Sequence, residues 1–160
     1  MLGNSVDTLV HALTTLQPRS VRSHSDRGTE RLDWQTSRVV GVVEEPDSPV
    51  RSIDSPLPKG WYSSASFDLI LRASPLADGY RVPVPTFSGR EGSHVLTANV
   101  AGSEEVEGHG DTWRIEADFA GLPVTFWISK TSRRLVRQIM HVSPTVEIMF
   151  VAPQVGSSSA

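Results

Sequence analysis

The chain contains no cysteine. This absence excludes disulfides, thiol catalysis and zinc or iron–sulfur sites built on cysteine ligands. It does not fix the compartment, because an exported protein can lack cysteine as well. The sequence also has no apolar run approaching the roughly 18 residues that a membrane-spanning helix needs. We therefore expect a protein that does not span a membrane.

The N-terminus lacks the features of a signal peptide. It has no basic segment, and Asp7 and His11 interrupt its only apolar stretch. On this feature we expect a cytoplasmic protein if the chain is complete. Otherwise the chain is expected to be a mature or truncated form of something longer.

Excess positive charge is absent too. The net charge is −3 over 160 residues, of which 38% are hydrophobic and 21% are charged. A chain of this charge has no electrostatic footprint for nucleic acid, so we expect none as a partner. The composition is typical of a globular protein, and the length suits one domain.

Catalytic motifs are also missing. The sequence has no GxSxG, no Walker or GxGxxG loop and no HExxH pair. One candidate is the segment Gly108–Asp111, in which His109 and Asp111 could ligate a metal or act as a base with its orienting partner. Its two glycines are what a tight turn requires, so a turn is the favoured interpretation. We expect no enzyme activity, no catalytic residue, no metal and no cofactor.

What the sequence does contain is a series of strand patterns, clearest over residues 111–151. Trp113 to Phe119 alternates apolar and charged residues with a period of two, which indicates a strand with one buried face. Turn residues at Ala120–Gly121, Ser129–Ser132 and Ser143–Pro144 separate three further strands. Similar strands precede this region, which predicts a single β-rich domain over residues 1–153. The small polar residues of 154–160 predict a disordered tail.

One segment predicts a helix. From Ser64 to Ala73, the residues Phe67, Ile70 and Leu71 share one face at helical spacing. A serine at the start can cap the first turn, and Pro75 stops the helix. We expect this apolar face to lie against the sheet.

Large aromatic residues in the strands raise the question of what covers them. If Trp127 points opposite to Phe126 and Ile128, both faces of its strand carry large apolar groups. Such a sheet must be covered on both faces by a helix, a partner or a lipid-like ligand. Packing in the core is the more common explanation for a strand tryptophan.

Four basic residues, Lys130, Arg133, Arg134 and Arg137, lie close together in the sequence. They could bind an anionic head group or an acidic protein patch. The alternative is that Lys130 and Arg133 decorate a hairpin turn while the stem of Arg137 covers apolar surface. The negative net charge favours this alternative.

Several segments carry a family resemblance, namely Asp68–Gly79, Gly102–Val106, Gly110–Glu116 and Thr125–Arg137. Together they resemble an uncharacterised bacterial domain family that looks like a distant relative of the periplasmic lipoprotein carriers of the LolA/LppX type. The resemblance implies a half-barrel whose concave face is covered by a helix and, in the carriers, holds acyl chains. It also implies a periplasmic or secreted protein. Such relatives carry an export signal and additional N-terminal strands, so we expect this chain to be N-terminally incomplete.

The sequence therefore predicts a mainly β (α+β) fold, a curved antiparallel sheet of about nine strands with one amphipathic helix on its concave face. The expected function is non-enzymatic binding of an apolar or acylated ligand, such as a lipid or lipoprotein. Its expected lining consists of Phe67, Ile70, Leu71, Trp113, Phe126 and Trp127. The alternative is a structural or assembly module that forms a homo-oligomer through an open sheet edge. An enzyme using His109 and Asp111 is the least favoured hypothesis.

Overall fold

The computed structural model describes residues 6–12, 14–119, 121–143 and 145–153. The tail predicted over residues 154–160 lies outside the described residues. The chain divides into two compact units, the first made of Met1–Phe67 with Val84–Val95 and the second of Asp68–Pro83 with Leu96–Ala160.

The first sheet is an antiparallel meander in which each strand pairs with the next along the chain. Its strands are β1 (Val6–His11), β2 (Pro18–Ser25), β3 (Gly28–Trp34), β4 (Arg38–Glu44) and β5 (Arg51–Pro56). The β2–β3 turn ends at Gly28, whose φ of 110° favours glycine. The first unit has one apolar core, formed by Val21, Leu32, Val39, Val43, Ile53, Leu57 and Phe87.

The second sheet has seven strands in the described part of the chain, in the order β12-β11-β10-β9-β8-β7-β6. They are β6 (Tyr62–Ser63), β7 (Arg81–Ser88), β8 (Gly92–Val106), β9 (Gly110–Phe119), β10 (Leu122–Ser129), β11 (Leu135–Ser143) and β12 (Val146–Val151). Strands β8 to β12 form an antiparallel meander, whereas the short β6 pairs parallel with β7. The four strands predicted over residues 111–151 are confirmed.

The predicted helix is confirmed as a 3₁₀ turn, Ser64–Ser66, that continues into α1 (Phe67–Ala73). The Ser63 hydroxyl accepts a hydrogen bond from the Ala65 N–H at 3.3 Å, which caps the turn. Leu71 is buried, and Ile70 is half-buried. No helix among the described residues is long and apolar enough to cross a membrane.

The mainly β class is confirmed, but the half-barrel and the count of nine strands are wrong. The described residues form twelve strands in two sheets, and neither sheet is curled into a half-barrel. The segment between β5 and β6 contains Pro58, which has no N–H to donate, and Gly60, which has a φ of 94°. After this break β6 pairs with β7 instead of extending the first sheet. Because no half-barrel exists, the placement of the helix on its concave face is wrong as well.

Candidate functional site

One face of the β9–β10 pair is a buried apolar layer. Along β10, Val124, Phe126 and Ile128 alternate onto this face, and all three are buried. Ile115 of β9 lies opposite Phe126, and Ala117 lies opposite Val124. The period of two in both strands therefore places their apolar residues in the core of the second unit.

The other face of β10 carries Trp127, which is only 5% exposed. Its cover is the side chain of Arg137, the residue directly opposite it on β11. The guanidinium carbon of Arg137 lies 3.7 Å from the centroid of the indole, which is cation–π geometry. Arg137 also donates a hydrogen bond of 3.1 Å to the carboxylate of Glu104. A residue of the chain itself thus covers this tryptophan.

The other tryptophan of this hairpin region is covered in the same way. The ammonium of Lys130 lies 4.1 Å from the ring centroid of Trp113. The same ammonium forms an ion pair of 2.9 Å with Asp111. The contacts of Lys130 and Arg137 agree with the alternative in which Lys130 lies at a hairpin turn and Arg137 covers apolar surface.

Arg133 forms hydrogen bonds with the C-terminal end of α1. Its Nε donates to the Arg72 carbonyl at 3.0 Å, and the Arg72 Nε donates to the Arg133 carbonyl at 2.9 Å. A second nitrogen of Arg133 donates to the Ser74 carbonyl. These bonds satisfy carbonyl groups that the end of a helix leaves without partners. Of the four clustered basic residues, only Arg134 is exposed.

The six residues predicted to line a ligand site are largely inside the protein. Phe67, Leu71, Phe126 and Trp127 are buried, and Ile70 and Trp113 are half-buried. The strand register places Trp113 and Phe126 on one face of the β9–β10 pair and Trp127 on the opposite face. Phe67 belongs to the first compact unit, and the other five belong to the second.

The second unit has a groove at the Gly108–Asp111 turn, with a volume of about 250 Å³. Gly108 and Gly110 have φ values of 75° and 71°, so the turn interpretation agrees with the structure. His109 lines this groove together with Arg134, whereas Asp111 pairs with Lys130. Within the described ranges, no group of three or more His, Asp or Glu residues could hold a metal ion.

Two further grooves lie on the second unit and share Pro123 and His141 in their lining. The larger, about 550 Å³, is lined mainly by polar and charged residues, which include Arg81, Asn99 and Arg114. The smaller, about 390 Å³, is lined by Gly121, Leu122, Pro123, His141, Val142 and Ser143. None of the six predicted lining residues borders any of these three grooves.

The most unusual surface is β12, which forms one end of the seven-stranded sheet. All six of its residues are exposed, and five of them are apolar. The exposed fractions of these five side chains lie between 46% and 57%, for Val146, Ile148, Met149, Phe150 and Val151. A strand normally hides the apolar residues of at least one face. Here the apolar side chains of both faces are exposed, which makes β12 a candidate interaction surface.

The one charged residue of β12 lies beside a histidine of the same chain. The carboxylate of Glu147 lies 2.9 Å from the Nδ1 of His141, the residue opposite it on β11. The sequence prediction identified this strand but did not identify it as a candidate site. The sequence feature that could have identified this site is the continuous apolar run from Ile148 to Val151. A strand with one face in solvent should instead alternate apolar and polar residues.

The chain matches a family model over residues 1–151, and the family is described as a protein of unknown function (DUF3108). The match covers nearly the whole sequence, so the chain belongs to this family. The prediction of an uncharacterised family is thereby confirmed. Among curated proteins and among solved structures, no match to the chain was found.

Proposed function

We propose that this protein is a non-enzymatic assembly module that pairs β12 with an extended apolar strand of another polypeptide. The observation that carries this proposal is the exposure of β12 on both of its faces at the edge of a sheet. Addition of a strand would satisfy outward backbone groups and cover the apolar side chains at the same time.

The composition of β12 supports this proposal by contrast with another edge strand of the chain. Strand β5 ends the first sheet and carries Arg51, Asp54 and Pro56, residues that oppose pairing with a further strand. Strand β12 contains no lysine, arginine or proline, and its only carboxylate is paired with His141. The protection that edge strands ordinarily carry is therefore present on β5 and missing from β12.

Both energetic components of strand addition favour an apolar partner. Each backbone hydrogen bond contributes about 0.5–1.5 kcal/mol net, and this contribution does not depend on the partner's sequence. Burial of apolar surface contributes roughly 25 cal/mol per Å², which selects valine, isoleucine and phenylalanine over polar residues. The loss of translational and rotational freedom opposes both, so the apolar side chains of β12 decide whether pairing occurs.

A labelled peptide tests this proposal directly. We expect the fluorescein-labelled peptide Lys-Val-Thr-Val-Thr-Val-Lys to bind saturably in a fluorescence anisotropy titration. The variant Met149→Lys should weaken this binding by about tenfold or more, because it places a charge in the new interface. Met149 is 57% exposed, so the substitution is not expected to affect folding.

Two controls accompany the titration. The variant Leu122→Lys also replaces an exposed apolar residue of the second unit, but outside β12, and should bind the peptide as the parent chain does. The same peptide with its central valine replaced by proline should not bind, because it loses a backbone donor. A monomeric chain that does not bind the peptide, or equal loss in both lysine variants, would contradict the proposal.

A second candidate is the binding of an apolar or acylated ligand, as the resemblance to lipoprotein carriers implies. The favouring observation is the groove of about 390 Å³ beside Leu122, Pro123 and Val142, which falls in the size range of small-molecule sites. This groove, and not the six residues first predicted, is where we place the ligand. A periplasmic or secreted location belongs to this candidate and stays a prediction.

Native mass spectrometry of the purified protein tests the second candidate. We expect an adduct with the mass of a lipid or fatty acid, which organic extraction removes. The variant Val142→Glu should lose the adduct, since a carboxylate at the groove opposes an acyl chain. Met149→Lys should keep it, because Met149 does not line the groove. A chain that carries no adduct after gentle purification would argue against this candidate.

A further inference from the structure

We infer that the strand paired with β12 is the β12 of a second copy, so that two chains join into one continuous antiparallel sheet related by a two-fold axis. This inference rests on the proposed function and names its partner. The self-complementarity of β12 carries it: five of its six residues are apolar, and its one charge is paired within its own chain.

A symmetric pairing has few allowed registers. A two-fold axis perpendicular to the sheet keeps every side chain on its own face. Residues directly opposite each other in an antiparallel pair point to the same face. A residue and the residue opposite it in the second copy must therefore be separated by an even number of positions in the sequence. The residue that lies on the axis is opposite the same residue of the second copy.

The charge of Glu147 and the number of paired residues limit the registers to two. An axis at Glu147 would place two carboxylates directly opposite each other, which is destabilising. An axis at Ile148 places Val146 opposite Phe150, and an axis at Met149 places Ile148 opposite Phe150. Both of these registers pair most of the strand, and both place Glu147 opposite an apolar residue.

A second copy also explains how an exposed edge can be tolerated. In a two-fold contact the β12 of each copy pairs with the β12 of the other. Neither β12 edge is then free to bind a third copy, so the assembly through this strand stops at two chains. A head-to-tail contact of the same strand with a different surface would instead leave an edge free and allow further growth. The symmetric pair thus removes an aggregation-prone edge in a single step.

The lack of cysteine in the chain makes the register directly measurable. In single-cysteine variants under mild oxidation, we expect Ile148→Cys or Met149→Cys to form a disulfide-linked dimer rapidly, because the residue on the axis faces its own copy within disulfide distance. Val146→Cys is the matched control, with an exposed fraction of 49% against 46% for Ile148. In either register, position 146 of one chain is offset from position 146 of the second chain by at least four residues along the strands. This offset corresponds to more than about 13 Å, so little cross-link should form.

Sedimentation of the uncross-linked protein completes the test. The parent chain should sediment as a dimer at micromolar concentration, and Met149→Lys should shift it to a monomer. If the parent chain is monomeric, or if all three cysteine variants cross-link equally, the self-pairing inference is wrong. Peptide binding by the same samples separates the two proposals, because binding by a monomeric chain would preserve the assembly function and refute only the second copy as partner. Failure of both measurements would refute both.

Discussion

Replacement of Phe126 by alanine is expected to lower the free energy of unfolding by about 3–5 kcal/mol, the range for a buried phenylalanine. The Phe126 side chain is 2% exposed and lies opposite Ile115 on β9. Its ring centroid lies 6.4 Å from that of Phe119, within the range of stabilising aromatic pairs. Truncation removes these contacts and leaves a cavity that the neighbouring strands can fill only in part. Urea denaturation followed by circular dichroism would measure the change.

The same variant separates a core role of Phe126 from the ligand-binding role that the sequence predicted. A residue that lines a ligand cavity would lose little stability on truncation, whereas a core residue loses the full amount. Thr125→Ala is the control, because Thr125 immediately precedes Phe126 in β10 and points to the opposite face. It should cost less than about 1 kcal/mol. A loss for Phe126→Ala as small as that of the control would show that Phe126 is not part of a tightly packed core.

The strand patterns were predictable because they depend on local sequence. The alternation from Trp113 to Phe119 reports a strand with one buried face, and the structure has β9 there with Ile115 and Ala117 buried. The helix was predictable for the same reason, since its apolar spacing and its serine cap lie within one short segment. Strands β1 and β6 have no comparable local signal, because β1 is mostly exposed and β6 has only two residues. Neither provides a clear hydrophobic period.

The number and curvature of the sheets were not predictable in this way. Whether β6 extends the first sheet or joins β7 is decided by pairing between Tyr62 and Thr86, residues that are distant in the sequence. The cover over Trp127 is non-local as well. The pairing of Arg137 with Trp127 depends on the register of β10 and β11, which shifts at a bulge beside Trp127. A count of apolar residues therefore indicated that both faces of β10 needed a cover, but could not identify an arginine as that cover.

Strand β12 could be recognised as a candidate site only when its sequence and its position in the sheet were considered together. The run Ile148 to Val151 is consistent with a strand buried on both faces. The structure puts this run at the edge of a sheet with every side chain exposed. Taken separately, each fact is ordinary. Their combination is the basis for proposing that β12 pairs with another strand.

The close approach of strands at Gly41 has the second large expected effect. Gly41 lies in β4 opposite Leu32 on one side and Ile53 on the other, two residues of the core of the first unit. A Cβ atom at this position would overlap the Arg31 carbonyl and lie 2.9 Å from the Leu32 Cα. Both contacts are with backbone, so rotation of a side chain cannot relieve them. Either β3 and β4 must separate or their hydrogen bonds must break.

We therefore expect Gly41→Ala to destabilise the first unit by about 3 kcal/mol or more, at the upper end of the range for overpacked sites. Hydrogen exchange measured by mass spectrometry should show lost protection over residues 28–56, the strands on either side of the substitution. Ser52→Ala is the matched control, since Ser52 lies on the neighbouring β5 with an exposed side chain and should change stability by less than about 0.5 kcal/mol. Normal protection of residues 28–56 in Gly41→Ala would mean that β3 and β4 accommodate a methyl group between them, and the register assigned to this pair would then be wrong.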